Sequence, residues 1–389
     1  MDTIEQMIQK KAYELGYEKG GIIPIGLMDG YTEKFNERIE KIPKSKMFYE
    51  NQQRLAKFRE IYPWAKSVVV LTVAYGKYKV PEMLNGLIAK AYLFDTRVDE
   101  NTKEYQNNRA LEKYMQELGL KVETNQKFGV VGMRWAALQA GLGIIRRNNF
   151  LYTESGSWVH LEAWVTDREM ELKETNNVVE CPKSCNRCIA SCPTKSLSDP
   201  YTMSPTECIS FLTTFGGRDL PHEPLSKTFG NCIYGCDICQ DACPMNKGKW
   251  KDEEEFSGLE ELVPSLIPEN ILNMEEDFYR NKVQPKFFYL SADDLWKWKV
   301  DVLCYMRNNY KESYKSLIIN ACNNENNKVR EMACSICDEL SLQWFPDKRM
   351  NIIKVIYFKK INGYESEIDE LNLLSKANES IRILIINSI

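Results

Sequence analysis

Residues 181–193 read CPKSCNRCIASCP and residues 236–244 read CDICQDACP, and these two stretches decide how the middle of the chain folds. Nine of the 13 cysteines fall between Cys181 and Cys243, none precedes them, and four follow. Short spacings and Cys-Pro pairs predict a segment that folds around metal rather than around an apolar core. Because the chain has two histidines, a metal would be bound mainly by thiolates, which suit iron–sulfur clusters, zinc or Cu(I).

The cysteine spacing favours iron–sulfur clusters. The first stretch runs Cys-x3-Cys-x2-Cys-x3-Cys-Pro, and the second runs Cys-x2-Cys-x3-Cys-Pro. In two-cluster ferredoxins, three thiolates of such a run bind one cluster and the last binds the other. We therefore predict two [4Fe–4S] clusters with interleaved ligands: a first set of Cys181, Cys185, Cys188 and Cys243, and a second set of Cys192, Cys208, Cys236 and Cys239. The alternative is a pair of structural zinc sites, which also use Cys-x2-Cys pairs.

Two of these cysteines depart from the ferredoxin pattern. Cys181 precedes its neighbour by a gap of three residues instead of two, and Cys208 lies 28 positions before Cys236. Cys232 has no place in either set, so it is predicted to be a free thiol. The remaining cysteines lie on predicted helix faces, where cysteine packs as a small apolar residue: Cys304, Cys322, Cys334 and Cys337.

The chain as a whole predicts an α+β protein in three parts. Residues 1–172 form an α/β domain, residues 173–255 a ferredoxin-like module with two clusters, and residues 256–389 a helical domain of HEAT-like units. The prediction for residues 1–172 is based on hydrophobic periodicity. It predicts a helix over 1–19, a strand within 20–27, a buried strand over 67–75, a helix over 129–140 that ends at Gly141 and Gly143, and a strand over 157–167.

Charge and hydropathy limit the possible partners. The net charge of −4 gives no overall basic field toward nucleic acid or anionic lipid. The N-terminus lacks a secretory leader, and no window approaches the ~18 apolar residues of a membrane span, so we expect a cytoplasmic protein without a membrane partner. Residues 290–389 carry 14 basic and 14 acidic residues, a balance that does not favour tRNA binding by the helical part.

With these motifs in place, the chain resembles a known family. SCNRCIASCPTKSLSDPYTMSPTECISFLTT (184–214) and GNCIYGCDICQDACPMNK (230–247) resemble the signature of epoxyqueuosine reductases, cobalamin-dependent double-cluster enzymes related to reductive dehalogenases. The resemblance continues through most of the chain, in ELGYEKGGIIPI (14–25), PWAKSVVVLTVAY (63–75), AALQAGLGIIRRNNFL (136–151) and GSWVHLEAWVTD (156–167).

The resemblance implies a nitroreductase-like α/β domain that binds a corrinoid, with one cluster close enough to supply it with electrons. The chemistry would be reductive removal of an oxygen or another leaving group through the reduced corrinoid. The chain has no Asp-x-His-x-x-Gly motif, so the corrinoid would be bound without a histidine ligand. The predicted corrinoid pocket consists of Gly141, Leu142, Gly143, Arg146, Arg147, Asn148, Ser157 and Trp158.

The catalytic residues of the family are poorly matched. Asp95 is what remains of a Gly-Arg-Asp-Tyr-His stretch, and Lys127 stands near the expected proton-donating aspartate. A lysine replaces that acid only if burial shifts its pKa strongly. We therefore predict Asp95, Glu123 and Tyr152 as catalytic candidates, with Glu162 as a further possible donor.

Three functions are consistent with the sequence. The first is a corrinoid- and cluster-dependent reductase resembling epoxyqueuosine reductase, served by an external low-potential donor of the ferredoxin or flavodoxin type. The second is a cytoplasmic reductase of small molecules, similar to reductive dehalogenases. The third is an electron-transfer protein that serves a corrinoid partner, which would bind clusters but no corrinoid. The substrate, tRNA or small molecule, stays open at this point.

Overall fold

The computed structural model describes residues 2–215 and 220–342. The chain divides into two compact units, the first ending at Lys311 and the second starting at Glu312. The predicted α/β and cluster parts both lie within the first unit, and their boundaries at 172 and 255 stay a prediction. The predicted helical repeats beyond residue 342 lie outside the described residues.

Three sheets are present in the described part of the chain, and the largest has four strands in the order β1-β2-β6-β3, all antiparallel. The two small sheets are the hairpins β4-β5 and β7-β8. The strands are β1 (Lys19–Pro24), β2 (Ser67–Ala74), β3 (Val122–Thr124), β4 (Ile144–Ile145), β5 (Leu151–Tyr152), β6 (Val159–Thr166), β7 (Leu197–Asp199) and β8 (Thr202–Met203).

Helices connect these strands and form the C-terminal part of the described chain. The α-helices are α1 (Ile4–Glu14), α2 (Asp29–Lys41), α3 (Lys46–Glu50), α4 (Phe58–Ile61), α5 (Lys90–Leu93), α6 (Lys103–Glu117), α7 (Met133–Gln139), α8 (Arg187–Ser191), α9 (Ile209–Thr214), α10 (Ile238–Asp241), α11 (Leu259–Leu262), α12 (Pro268–Leu272), α13 (Glu276–Phe278), α14 (Leu295–Asn308), α15 (Lys315–Ala321) and α16 (Asn327–Glu339). Short 3-10 turns occur at Ile25–Met28, Pro43–Ser45, Gln53–Leu55, Glu82–Leu84, Pro205–Glu207, Leu220–His222, Pro224–Thr228, Pro244–Asn246, Val263–Leu266 and Glu312–Tyr314, and a π turn at Tyr279–Val283.

The four-stranded sheet is covered by helices on both faces. On one face α7 packs against Val68 and Val70 of β2, and on the other α1 and α6 pack against Val69 and Leu71. A strand that is buried on both faces needs apolar residues at successive positions rather than at alternate ones. This explains the uninterrupted apolar run of β2, and the predicted strands over 67–75 and 157–167 are confirmed.

Two predicted helices are shorter than the periodicity suggests. The first starts at Ile4 because Thr3 caps it, accepting from the Gln6 backbone N–H while the Gln6 side chain accepts from Thr3. The helix predicted over 129–140 starts at Met133, because the preceding valines, Val130 and Val131, are buried in the core outside the helix.

The helices predicted after the cluster region are present in the described residues. In the first unit, α14 buries Trp298 completely. In the second unit, α15 and α16 pack on each other, and Cys322 Sγ lies 3.6 Å from Cys337 Sγ. Among the helices that the structure describes, none has both the length and the apolar composition needed to cross a membrane.

Candidate iron–sulfur and redox site

The structure places the cysteines of the first set near one another. Burial raises the pKa of the Cys188 thiol, and the neighbouring thiols of Cys243 and Cys181 raise it further. The contact of α8 with α10 brings the first cysteine stretch against the second, so Cys243 approaches Cys188 from a distant part of the chain. Cys185 lies in the same loop and is half-buried.

The cysteines of the second set also lie together. Burial raises the pKa of Cys208 to about 11, and the adjacent thiols of Cys236 and Cys192 contribute. Burial likewise raises the pKa of Cys239, whose neighbours are Cys236, Cys208 and Cys192. Thiols crowded in this way ionise only when a cation compensates their repulsion, and a bound cluster supplies that charge. The donor set therefore fits two thiolate-bound clusters, while the individual ligand assignments stay a prediction.

Cys232 has a neighbour that the sequence did not indicate. Its thiol is hydrogen-bonded to Cys236, and this hydrogen bond, followed by burial, raises the pKa of Cys236. Cys232 is itself buried at the loop that leads into the second set. It therefore contacts a predicted ligand and is the natural control when the ligands are substituted.

The turn of the β4-β5 hairpin contacts both cysteine loops. Arg146 donates to Cys181 Sγ at 3.3 Å and to the Val179 carbonyl oxygen. Arg147 donates to the carbonyl oxygens of Cys185 at 2.8 Å and Lys183 at 2.6 Å. These two arginines thus fix the loop of the first set and place positive charge beside its sulfur atoms.

Asn148 connects the same turn to the second stretch. Its Nδ2 donates to the Cys239 carbonyl oxygen at 3.2 Å and to the Tyr152 hydroxyl at 2.9 Å. Burial, and then a hydrogen bond with Cys243, raise the pKa of Tyr152. Tyr152 therefore lies beside a predicted cluster ligand. The corrinoid role predicted for residues 146–148 stays a prediction.

The glycines predicted for the corrinoid pocket are packed against backbone. Gly141 has φ +77°, and a Cβ there would lie 2.0 Å from the Glu174 carbonyl oxygen. A Cβ at Gly143 would lie 2.2 Å from the Tyr152 carbonyl oxygen. Leu142, between them, is fully buried in the core beneath the sheet. These positions require glycine for chain geometry, whether or not a cofactor lies near.

The start of β6 contacts the second cysteine stretch and a group of aromatic rings. Ser157 Oγ donates to Gln240 at 2.8 Å and accepts from Asn246 at 2.8 Å. Next to it begins an aromatic cluster in which Trp158 and Trp250 are 5.3 Å apart, edge to face. The aromatic cluster consists of Tyr75, Phe94, Trp158, Trp250 and Phe256.

Two tryptophan donors in the aromatic cluster lack acceptors. Within residues 2–215 and 220–342, the buried Nε1 atoms of Trp158 and Trp250 have no hydrogen-bond partner. Lys286 Nζ, which lies 4.3 Å from the centre of the Phe256 ring, is also buried without a hydrogen-bond partner among the described residues. Burial lowers the pKa of Lys286 to about 8, although Asp95 and Asp99 raise it. Three unsatisfied donors thus converge on one group of rings.

Asp95 lies beside this cluster in a buried ion pair. Arg97 Nε donates to Asp95 Oδ1 at 2.9 Å. Burial alone would raise the pKa of Asp95, but Arg97 outweighs it and the pKa is lowered. The carboxylate is therefore ionised at neutral pH, which leaves it without a proton to donate.

Arg97 joins two further segments to the ion pair. It donates to the Lys127 carbonyl oxygen at 3.2 Å and to the Tyr289 hydroxyl at 2.9 Å. Lys127 Nζ lies 4.8 Å from the centre of the Phe288 ring. The loop that carries the lysine in place of the expected acid is thereby tied to a segment more than 150 residues away in sequence.

His160 lies on β6, and its ring is 4.4 Å from the ring of Tyr75 and tilted by 32°. Burial lowers the pKa of His160 to about 4, against a smaller raising effect of Asp95. One imidazole nitrogen is 3.1 Å from the Ala91 carbonyl oxygen. At neutral pH the ring is uncharged and packs as an aromatic residue.

The remaining acidic candidates lie on the sheet. Glu123 is exposed on β3. Glu162 of β6 is buried, and its Oε2 accepts from the Tyr17 hydroxyl at 2.5 Å and from Asn108 Nδ2 at 2.6 Å. Burial raises the pKa of Glu162 to about 7, although both hydrogen bonds lower it.

The buried Glu162 predicts a pH-dependent stability. Its folded-state pKa of about 7 exceeds the ordinary 4.5, so the folded chain holds a proton on Glu162 at pH values where the unfolded chain has lost it. The free energy of unfolding therefore decreases as pH rises through 7 and the buried carboxyl ionises. Glu162→Gln mimics the protonated acid and does not titrate. As pH rises from 6 to 8, the free energy of unfolding of this variant is expected to increase by about 1 kcal/mol relative to that of the parent. Urea-unfolding midpoints at both pH values measure this. The exposed Glu123→Gln should change stability by less than ~0.5 kcal/mol at either pH, and identical pH profiles for Glu162→Gln and the parent would contradict the expectation.

Sequence reasoning missed Arg97, Lys286 and every member of the aromatic cluster except Trp158. Lys286 follows Pro285 in a segment without a motif, and its position over the Phe256 ring and its electrostatic interaction with Asp95 depend on the tertiary fold. A signal that could have indicated Arg97 is its i, i+2 spacing from Asp95, which allows a local ion pair.

The fold and the cysteine region both match known proteins. Residues 180–246, which include all eight predicted ligands, match the family described as a 4Fe-4S double cluster binding domain. The prediction of two [4Fe–4S] clusters rather than zinc is thereby confirmed.

The fold resembles a crystal structure of epoxyqueuosine reductase with an epoxyqueuosine-modified tRNA-Tyr stem loop, at TM-score 0.67 and 20% identity over 95% of this chain and 96% of that one. It also resembles epoxyqueuosine reductase from Streptococcus thermophilus, at TM-score 0.68 and 21% identity over 94% and 95% of the two chains.

Curated relatives are similar along most of their length. An epoxyqueuosine reductase from Cyclobacterium marinum is 30% identical over 281 residues, 69% of this chain and 89% of that protein. An epoxyqueuosine reductase from Cellulophaga algicola is 28% identical over 303 residues, 73% of this chain and 94% of that protein. The similarity therefore extends well beyond the cysteine motifs.

Proposed function

This chain belongs to the epoxyqueuosine reductase family of iron–sulfur oxidoreductases, and on that premise we propose that it reduces epoxyqueuosine in tRNA to queuosine. The observation that carries the proposal is the 30% identity over 89% of the Cyclobacterium marinum reductase. Removal of the epoxide oxygen consumes two electrons and two protons, forms a carbon–carbon double bond and releases water. The chain must therefore supply electrons, protons and a binding site.

We assign the electron supply to the two sets of cysteines. The crowding of Cys188 with Cys181 and Cys243, and of Cys208 with Cys236 and Cys239, supports the interleaved arrangement. Hydrogen bonds to cluster sulfurs and nearby positive charge raise a cluster's reduction potential. The Arg146 guanidinium beside Cys181 is in position to act in this way on the first cluster.

We propose that the aromatic cluster borders the corrinoid site. The unpartnered Nε1 atoms of Trp158 and Trp250, with Lys286 Nζ, would donate to the amide carbonyls at the corrinoid's periphery. When bound, a reduced corrinoid supplies a low-potential two-electron nucleophile that side chains cannot provide. The rings would exclude water from it.

Corrinoid binding can be measured apart from turnover. Anaerobic reconstitution with iron, sulfide and cobalamin is expected to give about eight iron and one cobalt per chain. Trp158→Phe keeps the ring but removes the donor, and it should weaken cobalamin binding about five- to tenfold, as followed by tryptophan fluorescence quenching. The control is Trp298→Phe, which removes another buried unpartnered Nε1 in the described structure. A reconstituted chain that binds iron but no cobalt would support the alternative that the chain is an electron-transfer protein.

We propose Lys286 as the proton donor that replaces the expected acid. Its Nζ is buried without a hydrogen-bond acceptor among residues of the described chain, interacts electrostatically with Asp95, and has a pKa of about 8, near neutral pH. Asp95 is ionised, and Tyr152 is hydrogen-bonded to Asn148 beside Cys243, so neither is a better donor.

Substitution of Lys286 separates charge from proton donation. Lys286→Arg keeps the positive charge on a group too basic to give up its proton, so kcat should fall about a hundredfold while cobalamin binding is retained. In the parent, kcat should decrease as pH rises through about 8, and this decrease should be absent in Lys286→Arg. An unchanged kcat in the variant would exclude Lys286 as the donor.

A further inference from the structure

Exposed basic residues lie close in sequence to the first set of cysteines. Lys183 and Arg187 flank Cys185, and Lys247 follows Cys243 by four positions. All three side chains are exposed, and none forms an ion pair with an acidic group in the described part of the chain. Their charges are therefore available to a partner.

Acidic groups near these cations are few. Asp241, two positions before Cys243, is paired with Lys90 at 2.8 Å. Glu180 precedes Cys181 and is exposed. Beside it Val179 exposes 67% of its surface, and Pro182 is also exposed. The basic rim, defined as Lys183, Arg187 and Lys247, thus borders a small apolar centre over the first set.

The chain that leads into the second set at residues 233–235 is buried, whereas residues 182–184 of the first set are exposed. Tyr92, whose hydroxyl is 3.0 Å from Ser210 Oγ, packs next to Cys208 and Tyr289. Asp237, next to Cys236, accepts from the Lys90 backbone N–H at 2.8 Å. These contacts join the second set to the segments that carry Asp95 and the aromatic cluster. The first set is therefore the one whose loop reaches solvent.

We propose that the basic rim is the docking site of an acidic, low-potential electron-carrier protein, which reduces the cluster of the first set. The proposal rests on the proposed function in treating the two sets as clusters. In each encounter one electron passes from the reduced carrier, which is oxidised by one electron, to the first cluster, which is reduced by one. Electrons then pass to the second cluster, beside the aromatic cluster.

The physics of transient electron transfer matches this surface. Such complexes bury small areas, below ~1,200 Å², and depend on charge complementarity for fast association. The basic rim supplies the charge complementarity, and its apolar centre supplies a small contact area. RNA is the other polyanion that such a surface could attract. The rim borders the solvent-facing loop of the first set and holds three cations, whereas RNA recognition calls for a more extended basic face.

The experiment is anaerobic stopped-flow reduction of the reconstituted chain by flavodoxin hydroquinone, an acidic carrier, with dithionite as a small reductant. Lys183→Glu/Arg187→Glu is compared with Lys10→Glu/Lys103→Glu, which reverses two exposed cations of α1 and α6 that are likewise unpaired in the described structure. The rim variant should be reduced by flavodoxin at least about tenfold more slowly at low salt, and the control variant should match the parent. Dithionite should reduce all three proteins equally.

Each other outcome overturns a distinct claim. Equal flavodoxin rates for the rim variant and the parent would exclude the rim as a docking site. Slower flavodoxin reduction of the control variant by the same factor would show a net-charge effect instead. Weakened tRNA binding with unchanged flavodoxin rates would assign the rim to RNA. Absence of iron and acid-labile sulfide from the reconstituted parent would overturn the cluster assignment and hence the proposed function itself.

Discussion

Cys239→Ser is expected to lower the iron content from about eight to about four per chain and to abolish reductase turnover. A [4Fe–4S] cluster is held by four thiolates, and serine is a poor replacement for a soft ligand. Cys239 lies with Cys236, Cys208 and Cys192, so its loss should affect the second cluster alone. If, as proposed, the second cluster is the one that passes electrons to the corrinoid, electrons would no longer reach the corrinoid.

Iron and sulfide analysis with low-temperature EPR measures this outcome. Cys232→Ala is the matched control, since Cys232 contacts Cys236 and is buried but belongs to neither set. It should keep about eight iron and most of the activity. If Cys232→Ala lost four iron and Cys239→Ser did not, the second set would have to be reassigned. Cys243→Ser tests the interleaving, because it should remove the first cluster although Cys243 follows Cys239 closely in sequence.

Asp95→Asn is expected to destabilise the first unit by about 3–5 kcal/mol. The substitution leaves the Arg97 guanidinium buried without its counter-charge, and breaking a buried ion pair from one side has costs of this size. Arg97 also holds the Lys127 carbonyl oxygen and the Tyr289 hydroxyl, so the loss should spread to both segments. The melting temperature should fall by roughly 5–10 °C.

Differential scanning fluorimetry of the reconstituted protein provides the measurement. The control is Asp29→Asn, which breaks an equally well-formed pair with Arg59, 2.7 Å long but exposed to solvent. Exposed pairs contribute less than about 1 kcal/mol, so this variant should melt within roughly 2 °C of the parent. Equal effects of the two substitutions would mean that the buried position of Asp95 does not matter.

The sequence predicted the elements whose signal is local. β2 was identified from its buried run of β-branched residues, and β6 from its alternation of apolar and polar residues. The cysteine spacing alone predicted both clusters. The start of α7 was misplaced because Val130 and Val131 continue the apolar pattern but pack in the core outside the helix. The order β1-β2-β6-β3 was not predicted, since it depends on pairing between distant segments.

The site itself was predicted only in part, for the same reason. The ion pair of Asp95 is local, but its links to Lys127 and Tyr289, and the approach of Lys286, join segments that no motif connects. Arg146 and Arg147 were predicted to line the corrinoid pocket, and that role stays a prediction. The structure gives them a contact that sequence could not indicate, with the loop of the first set.

The most direct test of the proposed function is turnover of tRNA that contains epoxyqueuosine. The anaerobically reconstituted chain, with cobalamin and excess dithionite, is incubated with this tRNA, and the digested nucleosides are analysed by liquid chromatography and mass spectrometry. We expect queuosine to form with the parent and with Cys232→Ala, and not with Cys239→Ser. Full iron and cobalt content in the parent without any queuosine would contradict the proposed function and show that the chain reduces a different substrate.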